Sequence, residues 1–202
     1  MLVSSYRRFT DEVAGIHLQV CAEFWDIGHK VFKSTPETFP VKFLPGDIFD
    51  QVFLAPGPIV TETPADEPLV DVSALTSLTP LKGRLSAIHA SSFFHLFNEE
   101  QQTELAYKLG SLLSPEPGSV IFGAHGGRPE KGLRMEFLRE NTNSFRMFCH
   151  SPASWTGLWE EVYGKGKVEV QASLREHTRA DVKHITDGGG KLYILDWSVK
   201  RL

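Results

Sequence analysis

One stretch, Leu81 to Asn98 (LKGRLSAIHASSFFHLFN), constrains the fold of this chain more than any other. Lys82-Gly83 makes a turn, and Leu85 to Ala90 is apolar enough for a strand buried on both faces. Ser91-Ser92 stops that run, and an aromatic segment follows: Phe93, Phe94, His95, Leu96, Phe97. Asn98 is a good N-cap for the polar helix that starts NEEQQTEL. The order is therefore strand, small-residue corner, aromatic wall, helix. In open α/β sheets ligands bind at the carboxyl ends of strands, and small residues there let a ligand approach the backbone. The same pattern also reads as a strand-helix joint whose aromatics are ordinary core.

The flanking sequence extends an α/β reading. Val13–Leu18 is a short strand, and Glu23–Lys33 places Phe24, Ile27, Val31 and Phe32 near helical spacing. Pro36 follows the helix, and Phe39–Leu44 is a second strand ending in Pro45-Gly46 and then Asp47-Ile48-Phe49-Asp50. Strand, helix, strand implies parallel pairing. Residues 56–68 carry four prolines and no periodicity, an exposed loop. Asp71–Leu78 reads as one or two helical turns, and Glu99–Leu113 as a helix. Ser119–Ala124 is a strand ending in His125-Gly126-Gly127, while 128–143 is charged and irregular. Ser151-Pro152 opens a helix that Gly164 stops. Lys167–Glu176 and Lys191–Val199 are strands forming an antiparallel pair at the sheet edge. The 202 residues make a single domain.

The composition excludes several classes of function. A net charge of −4 without a Lys/Arg stripe argues against nucleic acid and anionic membrane surfaces as partners. Cys21 and Cys149 lie far apart in no metal-type spacing, which points to free thiols in a reducing compartment. No apolar run reaches the length of a membrane span, and MLVSSYRRFT is not a signal peptide, so the expected location is the cytoplasm. His17, His89 and His95 have no metal-ligand spacing, so no metal centre is expected. GAHGG is followed by no Gly-Lys-Ser/Thr, and no G-x-S-x-G elbow occurs.

Five pieces in order, EFWDIGHKVF, GDIFD, IHASSFFHLFNEEQQ, LLSPEPGSVIFG and SPASWTGLWEEV, carry a resemblance covering most of residues 13–163. The chain resembles the Rossmann-like (class I) S-adenosylmethionine-dependent methyltransferases. Within that class it is similar to the small-molecule enzymes of fungal secondary metabolism, meroterpenoid pathways included. The resemblance implies a mostly parallel twisted sheet with a C-terminal antiparallel hairpin, S-adenosyl-L-methionine as cofactor and a small-molecule acceptor. It also implies contacts. Asp47 would meet the adenine through its carboxylate, and Ile48 through its backbone and apolar side chain. Ala90 and Ser91 would lie beside the methionine part, and His17-Leu18 would face the ribose.

Two departures from the family pattern stand out. The family's first strand ends in a glycine-rich loop, whereas residues 1–12 contain no glycine. His17 stands where the family usually has a carboxylate; a carboxylate accepts both ribose hydroxyls, and a neutral imidazole accepts one. The expectation is a shortened chain lacking the first strand. The strands at Val13–Leu18 and Leu85–Ala90 then either pair directly or leave backbone groups unpaired at about 1–3 kcal/mol each. The sheet is expected to close that gap and lose part of the cofactor pocket.

Methyl transfer asks the protein mainly to align nucleophile and methyl donor. A carboxylate acceptor needs no base; for a hydroxyl acceptor His95 is the candidate, its alternative being a partly buried histidine with one backbone partner. The Phe cluster with Trp155 and Trp159 either walls a hydrophobic acceptor such as a terpenoid or polyketide, or is core. Two functions remain open: a small-molecule O-methyltransferase, and a non-catalytic methyltransferase-like domain that has lost cofactor binding. A nicotinamide enzyme lacks its fingerprint.

Overall fold

The computed structural model describes residues 2–7, 13–19, 22–62, 70–137, 144–177 and 191–202. Among the described residues nine strands and three α-helices follow one another: β1 (Leu2–Arg7), β2 (Val13–Gln19), α1 (Ala22–Phe32), β3 (Lys42–Pro45), β4 (Ala87–Ala90), α2 (Glu99–Leu112), β5 (Val120–Gly127), β6 (Gly132–Phe137), β7 (Ser144–Cys149), α3 (Pro152–Tyr163), β8 (Val168–His177) and β9 (Leu192–Arg201). Seven strands form one sheet in the order β3-β2-β1-β4-β5-β9-β8. Pairing is parallel for β2 with β3 and for β4 with β5, and antiparallel at every other junction. Consequently β2, β3, β4, β5 and β8 share one direction, against β1 and β9. The expected α/β sheet with a terminal antiparallel pair is present.

The centre of the sheet differs from the expectation. Strands β2 and β4 neither pair directly nor leave their backbones open, because β1 lies between them, antiparallel to both. Only five residues connect β1 to β2. A link that short joins antiparallel neighbours, since a parallel crossover needs a dozen residues or more. The glycine-free segment LVSSYR therefore fills the middle position and satisfies the backbone groups on either side, against the sheet's prevailing direction.

Burial follows the pleat. Ile88 and Ala90 of β4, Ile121 of β5, and Leu195, Trp197 and Val199 of β9 face a single core with Leu105, Leu109 and Leu112 of α2 and Trp155 and Trp159 of α3. The opposite face carries Phe43, His89, Phe122 and Ser198, which share one register row. On that side α1 covers one end, where Trp25 stacks on Phe43 at 5.0 Å.

Both core helices carry the caps that their sequences predict. The Asn98 side chain accepts the Gln101 N–H at 2.9 Å, and the Gln101 side chain accepts the Asn98 N–H at 3.3 Å. Ser151 caps α3 with Pro152 in the first turn, and Gly164 ends it at φ 92°. Asn98→Ala is expected to destabilise by about 1 kcal/mol, moving the thermal midpoint down by roughly 2–4 °C, as read by circular dichroism.

Three local readings change. Residues 128–143 do not run irregularly throughout: β6 and β7 pair as an antiparallel ribbon, with 138–143 outside the described residues. Asp71–Leu78 gives one 3-10 turn, Val72–Ala74, capped by the Asp71 side chain on Ser73 N–H, and a second, Thr79–Leu81, follows just beyond Leu78. The apolar stripe of α1 faces outward, with Phe24 60%, Ile27 49%, Val31 67% and Phe32 81% exposed. Within the proline-rich loop, residues 63–69 lie outside the described residues.

Candidate functional site

The carboxyl ends of β2, β3 and β4 line up along one edge of the sheet. Leu18 is in register with Leu44 and with Leu2, and Leu2 with Ala90, so one row crosses the strand ends through the start of β1. His17 stands one row inside, in register with Phe43 and Val3. Beyond β3 the chain bends, and the Asp47 carboxylate accepts the Phe49 N–H at 2.9 Å. Asp47 is exposed at that bend, while Ile48 beside it is buried in the core.

The corner after β4 is tightly held. The Ser91 hydroxyl accepts the Ala124 N–H at 3.1 Å and lies 2.7 Å from His89 Nε2. The Ser92 N–H donates to the Ala124 carbonyl at 2.7 Å, and Ser92 adopts φ 51°. Burial holds the His89 imidazole below its usual pKa. Two aromatic contacts bring the two edges of the site together: Phe49 meets Phe97 at 4.9 Å, and Phe97 meets Phe93 at 5.4 Å, both edge-on. The segments bearing Asp47 and Ser91 are thus joined by rings two residues beyond each. The Gln102 amide, wholly buried on α2, donates to the Phe97 carbonyl at 2.9 Å and the Phe148 carbonyl at 3.0 Å. That tie fixes the β6–β7 ribbon beside the aromatic corner.

His95 sits on a single 3-10 turn, Phe94–Leu96, and its ring lies 6.5 Å from that of His125. Of the aromatic wall, Phe94, Trp155 and Trp159 are fully buried core, and Phe93 and Phe97 form the half-buried rim. The sequence reading missed His125 and His150. His125, at the carboxyl end of β5, accepts the Trp197 indole N–H on Nδ1 at 2.9 Å. The proton of the neutral ring therefore resides on Nε2, which is buried without a hydrogen-bond partner among the described residues, as is the Trp155 indole N–H. Burial drives the His125 pKa down to about 3, helped by the charges of His95 and His150. Burial also takes His150, bonded to Ser154 Oγ at 2.9 Å, down to about 4, with Glu99 opposing. In the sequence the only signal was a histidine inside an apolar strand. Among the described residues no three His, Cys, Asp or Glu side chains group as metal ligands.

The site's donor set fits half of the expected cofactor. An exposed carboxylate at Asp47, a backbone bend beside it and the apolar rim of Phe49 and Phe97 suit a purine nucleoside. Leu2–Arg7 offers no glycine-rich turn for an amino-acid arm.

Comparison with known proteins gives the following. No protein-family model matches the chain. It is similar to O-methyltransferase phiE of a fungal species, 31% identical over 76% of this chain and 42% of that protein. It is similar to the asnovolin E/chermesin D methyltransferase nvfJ of Aspergillus novofumigatus, 31% identical over 61% of this chain and 42% of that protein. It is 34% identical to the methyltransferase ausD of Penicillium brasilianum over 60% of this chain and 42% of that protein. The chain thus spans less than half the length of each of these curated relatives. Among solved structures, the DhpI–SAH complex overlays 92% of this chain and 65% of that one at 14% identity and a TM-score of 0.47. The glycopeptide N-methyltransferase MtfA with S-adenosyl-L-homocysteine overlays 93% and 73% at 12% identity and a TM-score of 0.48. No described helix is long and apolar enough to cross a membrane.

Proposed function

We propose that this chain is an S-adenosylmethionine-dependent methyltransferase acting on an oxygen of a small, hydrophobic secondary metabolite. What supports the reading above all is the convergence of the Asp47 bend and the Ala90-Ser91 corner on one edge of the sheet, joined through Phe49, Phe97 and Phe93. The relatives named as methyltransferases support the same class.

When bound, the cofactor supplies a methyl group activated on a sulfonium. The chain's own residues do the rest. Asp47 would accept a hydrogen bond from the adenine with the Ile48 backbone beside it, and His17-Leu18 would serve the ribose. Ala90 and Ser91 would border the methionine part, Ser91 being held in place by the Ala124 N–H. Phe93 and Phe97 keep water from the reacting atoms. His95 takes the proton from a hydroxyl acceptor; a carboxylate acceptor needs no base.

A second reading, a non-catalytic methyltransferase-like domain, is favoured by one observation: the middle of the sheet holds glycine-free, antiparallel β1. Calorimetric titration with S-adenosylmethionine and S-adenosylhomocysteine separates the two. The enzyme reading expects dissociation constants on the order of 1–100 μM, in the range where enzymes commonly hold their substrates. It also expects at least a tenfold loss in Asp47→Ala, and transfer of labelled methyl to a hydroxylated or carboxylated terpenoid or polyketide. Absence of binding at millimolar ligand would overturn it in favour of the second reading.

A further inference from the structure

His89 has no part in the reaction described above, yet it bonds directly to a residue that does. It stands on β4 beside Ala90, its ring 5.1 Å from that of Phe122 on the face of the sheet away from the core. Its Nε2 lies 2.7 Å from Ser91 Oγ, and the same oxygen accepts the Ala124 N–H at 3.1 Å. A serine oxygen has one hydrogen and two lone pairs. Ala124 takes one lone pair, so His89 decides what is left for a ligand. A bare Nε2 takes the hydrogen and leaves the second lone pair, an acceptor. A protonated Nε2 takes the second lone pair and leaves the hydrogen, a donor. Two observations favour the bare nitrogen. A separation of 2.7 Å is the usual length for a hydroxyl donor and the short limit for an N–H donor. Burial also disfavours the charged imidazole, in which both nitrogens carry protons.

We propose that His89 is a positioning residue for the cofactor: it holds the Ser91 hydrogen, so that Ser91 turns an acceptor toward the ammonium of the amino-acid arm. The inference rests on the cofactor reading above, which sets Ser91 beside the methionine part, and it names the group that Ser91 meets there. The arm carries an ammonium and a carboxylate, and of the two only the ammonium can donate to a lone pair. The strand between β2 and β4, LVSSYR, brings no glycine-rich turn to the arm, so a polar contact from the β4 corner carries more of the holding. The main chain of that corner is already fixed, with the Ser92 N–H on the Ala124 carbonyl at 2.7 Å. Rotation of the Ser91 hydroxyl is the freedom left, and His89 removes it before the ligand arrives.

Calorimetric titration of the full chain with three ligands tests this: S-adenosylhomocysteine, its deaminated analogue with hydrogen in place of the ammonium, and methylthioadenosine, which has no arm. His89→Phe keeps a ring against Phe122 and removes the acceptor, and its circular dichroism should stay native. It should weaken S-adenosylhomocysteine at least about tenfold, the effect of one hydrogen bond to a charged group, and leave the other two ligands within about twofold. His89→Gln, whose amide oxygen can take the Ser91 hydrogen, should recover the original affinity to within about threefold. Ser91→Ala should lose as much as His89→Phe, and the double variant no more than either, because the two side chains act as one unit. An unchanged S-adenosylhomocysteine affinity in His89→Phe overturns the proposal. So does a loss shared by the deaminated analogue or by all three ligands, which is what a merely structural histidine gives. If none of the three binds the unaltered chain at millimolar concentration, the cofactor reading itself fails and the inference falls with it.

Discussion

Between pH 7.5 and pH 5 the protein is expected to lose about 4 kcal/mol of folding stability, a large part of what a domain of this size has. The loss comes from two histidines that the fold keeps neutral. In the unfolded chain an imidazole takes up a proton near pH 6.5. In the folded chain burial holds His125 uncharged down to about 3 and His150 down to about 4. Below pH 6.5 the unfolded state therefore binds protons that the folded state refuses. Each histidine removes about 1.4 kcal/mol per pH unit until its own native pKa is reached. Above pH 6.5 the two states bind alike and the curve is flat. The measurement is the urea midpoint and slope at half-unit intervals from pH 8 to pH 5. His125→Gln discriminates the origin, because its amide oxygen can still accept the Trp197 indole N–H while carrying no titration. It should roughly halve the slope and leave the pH 7.5 value within about 1 kcal/mol. A flat profile across this window, or an unchanged slope in the variant, would contradict the buried neutral imidazole.

That histidine also shows where reading the sequence stops. The elements with strong local signals were legible: the Asn98 cap, the Ser151-Pro152 start and Gly164 end of α3, and the alternating strands at the carboxyl terminus all fold as their residues predict. So was the edge on which Asp47, Ala90 and Ser91 gather, because strand, turn and helix order dictates where parallel strands end. What was not legible depends on contacts made across the sheet. LVSSYR carries no clear strand signal, and nothing local says that a five-residue link will turn it back into the central position. The ribbon of β6 and β7 hides in a charged sequence, and its tie to the rest of the fold comes from Gln102, 46 residues from Phe148 in the chain. The helical spacing of Phe24, Ile27 and Val31 was read correctly as amphipathic, but spacing does not tell whether a face turns inward or outward. His125 looked like part of a glycine-flanked strand end; its character comes from Trp197, 72 residues away in the chain.

Gly123→Ala is expected to cost about 3 kcal/mol, an unusually large effect for the addition of one methyl group, because the methyl would meet main chain. A Cβ at that position falls 2.4 Å from the Ala90 carbonyl oxygen and 2.7 Å from its carbon. Neither atom can rotate aside: both belong to the strand end from which the Ser91-Ser92 corner departs. Relief requires β4 and β5 to separate there. That movement breaks the Ala124 N–H to Ser91 Oγ bond and the Ser92 N–H to Ala124 carbonyl bond, and lets Ser92 leave its left-handed conformation. Gly126, three residues along the same strand, is the comparison. A Cβ there meets the Met147 sulfur at 2.9 Å and an Arg134 guanidinium nitrogen at 3.0 Å, both at the ends of flexible side chains, so Gly126→Ala should cost less than about 1 kcal/mol. Chemical denaturation gives the two energies, and hydrogen exchange locates the damage: in Gly123→Ala the Ser92 and Ala124 amides should lose protection first. Because Ala90 and Ser91 lie on this corner, the same substitution should weaken S-adenosylmethionine binding beyond anything Gly126→Ala does. Equal stability of the two variants would mean that the corner is not held against β5, and the proposed cofactor edge would lose its rigid border.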